Sequence, residues 1–145
     1  MTAATDYFEN KLVDQIFRNQ PFSFPTTLFV GLLTAAPSDS TGGTEVVGGS
    51  YARVGVGCSL ANWAGTQSAG STVASNGTGA TTSNNGVITF ATPTANWGTI
   101  THFGIYDAVS SGNLLFWGPL SSSKAVFTGD AVSIQAGQLQ VQMDD

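Results

Sequence analysis

Charged residues, cysteine and histidine are all scarce in this chain of 145 residues. Asp, Glu, Lys and Arg make up only 9% of it, against about 25% in an ordinary soluble domain. Cys58 is the only cysteine, so an intrachain disulfide is impossible. Because His102 is also the only histidine, the usual ligand set of a structural zinc site cannot be assembled. We therefore expect a core held by packing alone, with no metal or other cofactor.

The few charges are unevenly placed. No Asp, Glu, Lys or Arg occurs from Val54 to Tyr106, where Ser, Thr, Asn and Gly supply the polarity. A surface of this kind lacks the like-charge repulsion that keeps free monomers apart. This favours a protein that works in an assembly, and an ordinary neutral, loop-rich surface is the alternative interpretation.

The charge pattern also bears on partners. Nucleic-acid binding needs clustered Lys and Arg, whereas this chain has four such residues, widely spread, and a formal net charge of −5. No apolar run approaches the ~20 residues of a membrane span. The first residues contain acids and no basic stretch before an apolar one, unlike a signal peptide. We expect neither nucleic acid nor membrane as a partner, and synthesis in a cytoplasm.

One helix is predicted, over about residues 6–18. Thr5 or Asp6 is a suitable N-cap, and Glu9 stands three residues after Asp6, as in a capping box. Pro21 marks the end of the helix. Four apolar residues at helical spacing are assigned to one face that docks on β-structure. They are Phe8, Leu12, Ile16 and Phe17.

Short β-prone runs separated by turn signals make up most of the remaining chain. Thr26–Leu33 is apolar at almost every position, as expected for a strand covered on both faces. In the run from Gln138, we expect Leu139, Val141 and Met143 to face inward and the alternating glutamines outward. The pattern predicts one all-β domain over residues 1–145, an antiparallel β-sandwich or jelly roll with one short N-terminal α-helix.

Residues 65–86 differ from the rest, because Val73 is their only large apolar residue among Ser, Gly, Thr and Asn. Such a segment cannot bury enough apolar surface to offset the entropy lost on ordering. As a free loop it exceeds the ~12–15 residues usual in compact domains. We expect it to be flexible in the isolated protein or to be held by a neighbouring chain.

The residues that most resemble catalytic ones are His102 and Cys58. In a regular strand His102 shares a face with Ile100 and Tyr106, whereas Asp107 points the other way and cannot orient the ring. Cys58 has no charged sequence neighbour that would lower its pKa. We interpret both residues as structural and expect no enzymatic activity.

Five stretches occur in the order YFENKLVDQIF, LFVGLLTAAPSD, GGSYARV, TANWGTITHFGIYDA and GNLLFWGPL. In them the chain resembles small virion proteins of tailed bacteriophages, often labelled tail-fibre-like, a group similar to jelly-roll cement proteins of phage capsids. The resemblance implies a capsid cement (decoration) protein on the capsid exterior that bridges major capsid protein subunits. The implied partners are the major capsid protein and neighbouring copies, in a dimer or trimer made in the bacterial host cytoplasm.

Contacts of such a protein are expected at the helix, at the loop 37–49, at the segment 65–85 and at the C-terminal strand. The candidate interface residues are Phe8, Phe17, Pro37, Asp39, Gly65, Asn76, Gln138, Gln140 and Gln142. Two alternatives stay open. One is a tail- or fibre-associated structural protein, and the other is a carbohydrate-binding module using exposed tryptophans, namely Trp63, Trp97 and Trp117.

Overall fold

The computed structural model describes residues 2–143. Its single helix follows a two-residue strand, and nine further strands come after it. In chain order the elements are β1 (Ala3–Ala4), α1 (Asp6–Phe17), β2 (Thr27–Ala35), β3 (Thr44–Glu45), β4 (Val54–Gly57), β5 (Thr81–Ser83), β6 (Ile88–Thr89), β7 (Gly98–Tyr106), β8 (Leu114–Val126), β9 (Ser133–Ile134) and β10 (Gln140–Gln142).

The strands form one large sheet and two small ones, and all their pairings are antiparallel. The six-stranded sheet has the order β1-β8-β7-β2-β3, with β4 also paired to β2; β10 pairs with β5, and β6 with β9. The predicted all-β sandwich with one short helix is therefore confirmed. Among residues 2–143, no helix combines the length and the apolar character that crossing a bilayer requires.

The main core lies between the large sheet and the layer built from the two small sheets. Val30 and Leu32 of β2 and Ile105 of β7 meet Ile88 of β6 and Val141 of β10 in one buried cluster. Burying one such side chain contributes about 1.5–3 kcal/mol, so this cluster holds the two layers together. Residues 30–33 are buried on both faces of the sheet, as the apolar run predicted.

A bulge in the pairing of β7 with β8 corrects one predicted neighbour of His102: His102 shares a sheet face with Tyr106, as expected, but not with Ile100. The register between β7 and β8 shifts between Ile100 and His102, where Ile100 pairs with Lys124 and His102 with Pro119. A bulge breaks the two-residue alternation. Ile100 therefore lies in the main core with Phe103, whereas His102 lies on the other face.

Helix α1 begins and ends close to the predicted residues, and one of the two predicted N-caps is used, but its apolar face differs. Thr5 is the N-cap, because its side chain accepts a hydrogen bond from the Phe8 backbone N–H; the Asp6–Glu9 capping box is not formed. Phe8 is buried, with its ring centroid 5.1 Å from that of Phe116 on β8. Phe17 is 79% exposed. The two were wrongly assigned to one face, since nine residues span two and a half helical turns.

The C-terminal strand follows its predicted pattern except at its end. Leu139 and Val141 are buried, whereas Met143 is exposed, contrary to the prediction. The last residue that pairs with β5 is Gln142, so Met143 lies past the edge of the core. The Gln142 backbone N–H donates to Thr2 Oγ1 at 2.7 Å, which ties the two ends of the described chain together.

Candidate interaction surfaces

Two paired glycines create a flat patch on the large sheet, on the face opposite the main core. Gly31 of β2 lies directly opposite Gly104 of β7. A methyl group on Gly104 would approach the Tyr106 ring and the Leu114 side chain to 2.8 Å. The same group on Gly31 would lie 3.0 Å from the Tyr106 ring and 2.8 Å from the Glu45 carboxylate. Glycine at both positions therefore lets Tyr106 lie flat on the backbone.

Arg53 covers this ring and completes a buried ion pair. Its Cζ atom is 3.4 Å from the centroid of the Tyr106 ring. Its Nε and Nη2 atoms donate to both Glu45 carboxylate oxygens at 2.8 and 2.7 Å, a bidentate geometry. Tyr51 also donates to Glu45, at 2.7 Å. The Arg53 side chain is only 8% exposed. Its positive charge is paired within the chain and so contributes little to the charge of the surface.

The ion pair changes the titration of its neighbours. Burial and the Glu45 charge raise the pKa of Tyr106 to about 12, although Arg53 works against this rise. Burial and the hydrogen bond to Glu45 raise the pKa of Tyr51 as well. Burial alone would lower the pKa of Arg53, but the bond to Glu45 and its charge outweigh that effect. At neutral pH the two phenols beside the ion pair are therefore neutral.

Arg53 also anchors the hairpin between β7 and β8. Its Nη1 atom donates to the carbonyls of Ala108 and Ser111, both at 2.8 Å. Within the hairpin, the Asp107 carboxylate accepts from the backbone and side-chain N–H groups of Asn113, at 2.7 and 2.8 Å. One guanidinium thus holds β3, β4 and this hairpin in fixed relative positions, and the cluster's role is structural.

The loops fixed by Arg53 border a shallow depression of about 420 Å³. Val47 and Val109 stand exposed beside it, on the loops after β3 and after β7. The hydrogen bonds of Arg53 thus hold together the two loops that carry these apolar side chains.

A second concavity, a groove of about 510 Å³, lies between β8 and the segment that carries β9 and β10. Aliphatic core residues form its floor, and Ser and Gln side chains such as Ser122 and Gln138 form its rim. Within the described residues, β1 covers the outer edge of β8 only at Phe116 and Trp117. Pro119, the bulged residues 120–123 and Lys124 follow along that edge, and these features protect an edge against strand addition.

The side chains of His102 and Cys58 each make one hydrogen bond among the described residues. The Nδ1 atom of His102 is 2.8 Å from Thr101 Oγ1, and its ring centroid is 5.9 Å from that of Trp117. Loss of solvent lowers the pKa of this histidine. The Cys58 thiol donates to the Pro25 carbonyl, and burial raises its pKa. Across residues 2–143, no three His, Cys, Asp or Glu side chains are grouped to hold a metal ion.

The three tryptophans do not form an exposed platform for a sugar. Trp97 is buried and donates to the Gly49 carbonyl at 2.9 Å. Trp63 and Trp117 are half-buried, and their indole nitrogens are buried without a hydrogen-bond partner among the described residues. Of the three tryptophans, only Trp63 and Trp117 keep a partly exposed surface, and the carbohydrate-binding alternative stays a prediction.

The structure divides the predicted interface residues into two groups. Phe8, Pro37 and Gly65 are buried within the chain, which corrects the expectation that they present side chains to a partner. Phe8 packs on Phe116, and the space where Gly65 would carry a side chain is occupied by Gln67. The remaining residues are exposed at four separate places and stay candidates: Phe17, Asp39, Asn76, Gln138, Gln140 and Gln142.

The segment 65–86 carries its own hydrogen-bond network. The Gln67 side chain donates to Ser71 Oγ at 2.6 Å and accepts from the Asn76 backbone N–H. Thr66 Oγ1 accepts from the Gly77 N–H at 3.0 Å, and residues 81–83 form β5. The segment thus has hydrogen-bond partners of its own within the chain. Its flexibility in solution stays a prediction.

Sequence reasoning missed the cluster around Arg53. Tyr51 and Arg53 lie in the stretch GGSYARV, and Tyr106 lies in TANWGTITHFGIYDA. Arg53 is also the last charged residue before the uncharged stretch that begins at Val54. A lone cation beside such a stretch is a usable signal, because a charge entering a β-rich core needs a partner.

Comparison with known protein families finds a match over most of the chain. The model of a family described as Podophage GP4 fiber I protein gp80 matches residues 3–142. The match extends from β1 to β10 and includes the segment 65–86. A comparison with curated proteins yields no match.

Proposed function

The chain belongs to the family of podophage GP4 fiber I protein gp80, a family of phage structural proteins, and we propose that it is a non-enzymatic part of a virion fibre. The observation that carries this proposal is the extent of the family match, from residue 3 to residue 142. A match of that extent covers the whole sandwich, from β1 to β10.

The surroundings of the reactive side chains support a role without catalysis. His102 contacts the Thr101 hydroxyl and the Trp117 ring, and none of the hydrogen bonds of its ring within residues 2–143 is to a carboxylate that would orient it as a general base. The cations support a role without nucleic acid or membrane, because Arg53 and Arg18 are already paired with Glu45 and Asp14. The proposed partners are other virion proteins and further copies of this chain.

A capsid cement protein that bridges major capsid protein subunits is the second candidate. The observation that favours it is the distribution of exposed candidate residues over separate elements, such as Phe17 on α1 and Gln140 on β10. A small rigid domain with several contact regions is suited to a junction between subunits, where many copies add their modest affinities.

Cryo-electron microscopy of three virion preparations tests both candidates. Wild-type particles are compared with particles of a phage that lacks the gene. The deletion phage is grown either with the gene supplied in trans or without it. Density that disappears from a fibre with the deletion is the expected result. Loss from the capsid surface would support the cement protein instead, and identical particles would contradict both.

A further inference from the structure

Helix α1 is apolar on two faces, and only one of them is covered. Phe8 on the covered face is 7% exposed and packs on the sheet. Val13, Ile16 and Phe17 are 49%, 66% and 79% exposed. Residues separated by three or four positions share one helix face. These three side chains therefore form one continuous stripe, which we call the outer stripe.

Acidic residues extend the outer stripe toward the N-terminus of the helix. Glu9, Val13 and Phe17 follow one another at intervals of four residues and so lie in a line. Asp6, two turns before Val13, lies on the same side and is exposed, as is Glu9. The face is thus acidic over its first half and apolar over its second.

The cations of this region lie away from the outer stripe. Lys11 lies over the Tyr7 ring, with its Nζ atom 5.7 Å from the centroid. Arg18 pairs with Asp14 at 2.8 Å. A partner therefore meets only negative charge at one end of this face, and complementarity requires positive charge on the partner there.

The size of the outer stripe argues against a second copy as its occupant. A helix of 12 residues is about 18 Å long. A stable interface buries about 800 Å² on each partner, whereas an exposed aromatic side chain contributes only about 150–250 Å². Two such stripes packed against each other would bury only the area that one short helix face offers on each side, which is less than a stable interface needs. A groove that wraps around the helix buries more of it.

We propose that the outer stripe of α1 docks into an apolar groove on another virion protein, with Lys or Arg side chains at the groove end that receives Asp6 and Glu9. Anchors at positions i, i+3 and i+4 are typical of helix-in-groove recognition. Val13, Ile16 and Phe17 have this spacing. The inference rests on the proposed function, because it takes the partner to be part of the virion.

The test measures copies per virion by quantitative mass spectrometry, after complementation of a deletion phage with variants. Ile16→Ser/Phe17→Ser is expected to lower the copy number at least tenfold. Phe127→Ser, at an apolar residue exposed to a similar degree outside the helix, is the matched control and is expected to leave it unchanged. Circular dichroism of each purified variant verifies that it is folded.

A charge series tests the orientation. Incorporation is expected to fall from the wild type to Asp6→Asn/Glu9→Gln and further to Asp6→Lys/Glu9→Lys, because reversed charges repel a basic groove end. Equal incorporation of the three proteins would contradict a basic partner. Since these side chains are exposed, the substitutions are not expected to unfold the domain.

The outcomes separate this inference from the proposed function. If wild-type protein is missing from virions, the proposed function fails. If the wild type and Ile16→Ser/Phe17→Ser are incorporated equally, the proposed function stands and the docking surface is wrong. If light scattering shows a wild-type dimer that this double variant abolishes, the occupant is a second copy, which overturns the proposed partner.

Discussion

At the scale of single residues, Arg53 joins several parts of the chain through one side chain. It contacts Glu45, eight residues earlier in the chain, and the carbonyl of Ser111, 58 residues later. It also lies on the Tyr106 ring. Removing one partner of a buried ion pair leaves the other charge without compensation, which costs more than the pair contributes.

Arg53→Met is therefore expected to lower the free energy of unfolding by about 3–5 kcal/mol. Arg18→Met is the matched control, because Arg18 makes the other described ion pair but is 69% exposed. Its loss is expected to cost about 0.2–1 kcal/mol. Urea denaturation followed by tryptophan fluorescence measures both. Equal costs for the two variants would show that the Arg53 pair contributes no more than a surface pair.

At the scale of elements, the pairing of β2 with β7 depends on Gly31 opposite Gly104. The Tyr106 ring lies where either glycine would carry a side chain. Gly104→Ala forces the ring and Leu114 apart, and overpacking of this kind costs about 1–3 kcal/mol. Gly86→Ala is the control, since nothing among the described residues lies within 4 Å of the added methyl group. Similar denaturation midpoints for the two variants would contradict the close contact.

The segment 65–86 gives a second prediction at the scale of elements. Gln67 is the hub of its hydrogen bonds, since its side chain meets Ser71, Ala74 and Asn76. Gln67→Ala is expected to speed amide hydrogen exchange over residues 66–77 while leaving β2 and β7 unchanged. Gln138→Ala, at an exposed glutamine, is the control. If the amides of this segment already exchange rapidly in the wild type, the segment is flexible, as its composition predicts, and the hydrogen bonds of Gln67 do not order it.

Local signals in the sequence were sufficient for some elements and insufficient for others. Thr5 and Pro21 bracket α1, and the apolar run at residues 30–33 marks a doubly covered strand, because both signals act on near neighbours. The bulge beside His102 could not be predicted by alternation, since it depends on which residues of β8 pair with β7.

The same distinction applies to the candidate site. Exposure of Phe17 follows from helical spacing once Phe8 is known to be buried. The cluster of Arg53 with Tyr106 could not be assembled from the sequence alone, because its members come from β3, from the segment before β4 and from the end of β7, at chain positions far apart. Long-range pairing of this kind is set by topology rather than by composition.

At the scale of the whole molecule, the N-terminal segment is joined to the sandwich at several points. Thr5 Oγ1 donates to the Leu114 carbonyl at 2.6 Å and caps α1. An aromatic chain continues from Phe116 through Phe8 to Phe22, whose ring centroid is 6.2 Å from that of Phe8. These contacts couple the helix to the large sheet, so we expect both to unfold together.

This coupling predicts one cooperative transition for the helix and the sheet. All three tryptophans lie outside α1, so fluorescence reports on the β-structure and the circular dichroism signal of the helix reports on α1.

Phe8→Ala is expected to lower the free energy of unfolding by about 3–5 kcal/mol, as measured by both probes, because it empties a packed aromatic site. Phe17→Ala, on the exposed face, is expected to change both by less than about 0.5 kcal/mol. Transitions that separate in Phe8→Ala, with only the helix signal moving, would mean that α1 is an independent unit. In that case the outer stripe would belong to a helix free to reorient when it meets a partner, rather than to a face held rigidly on the sandwich.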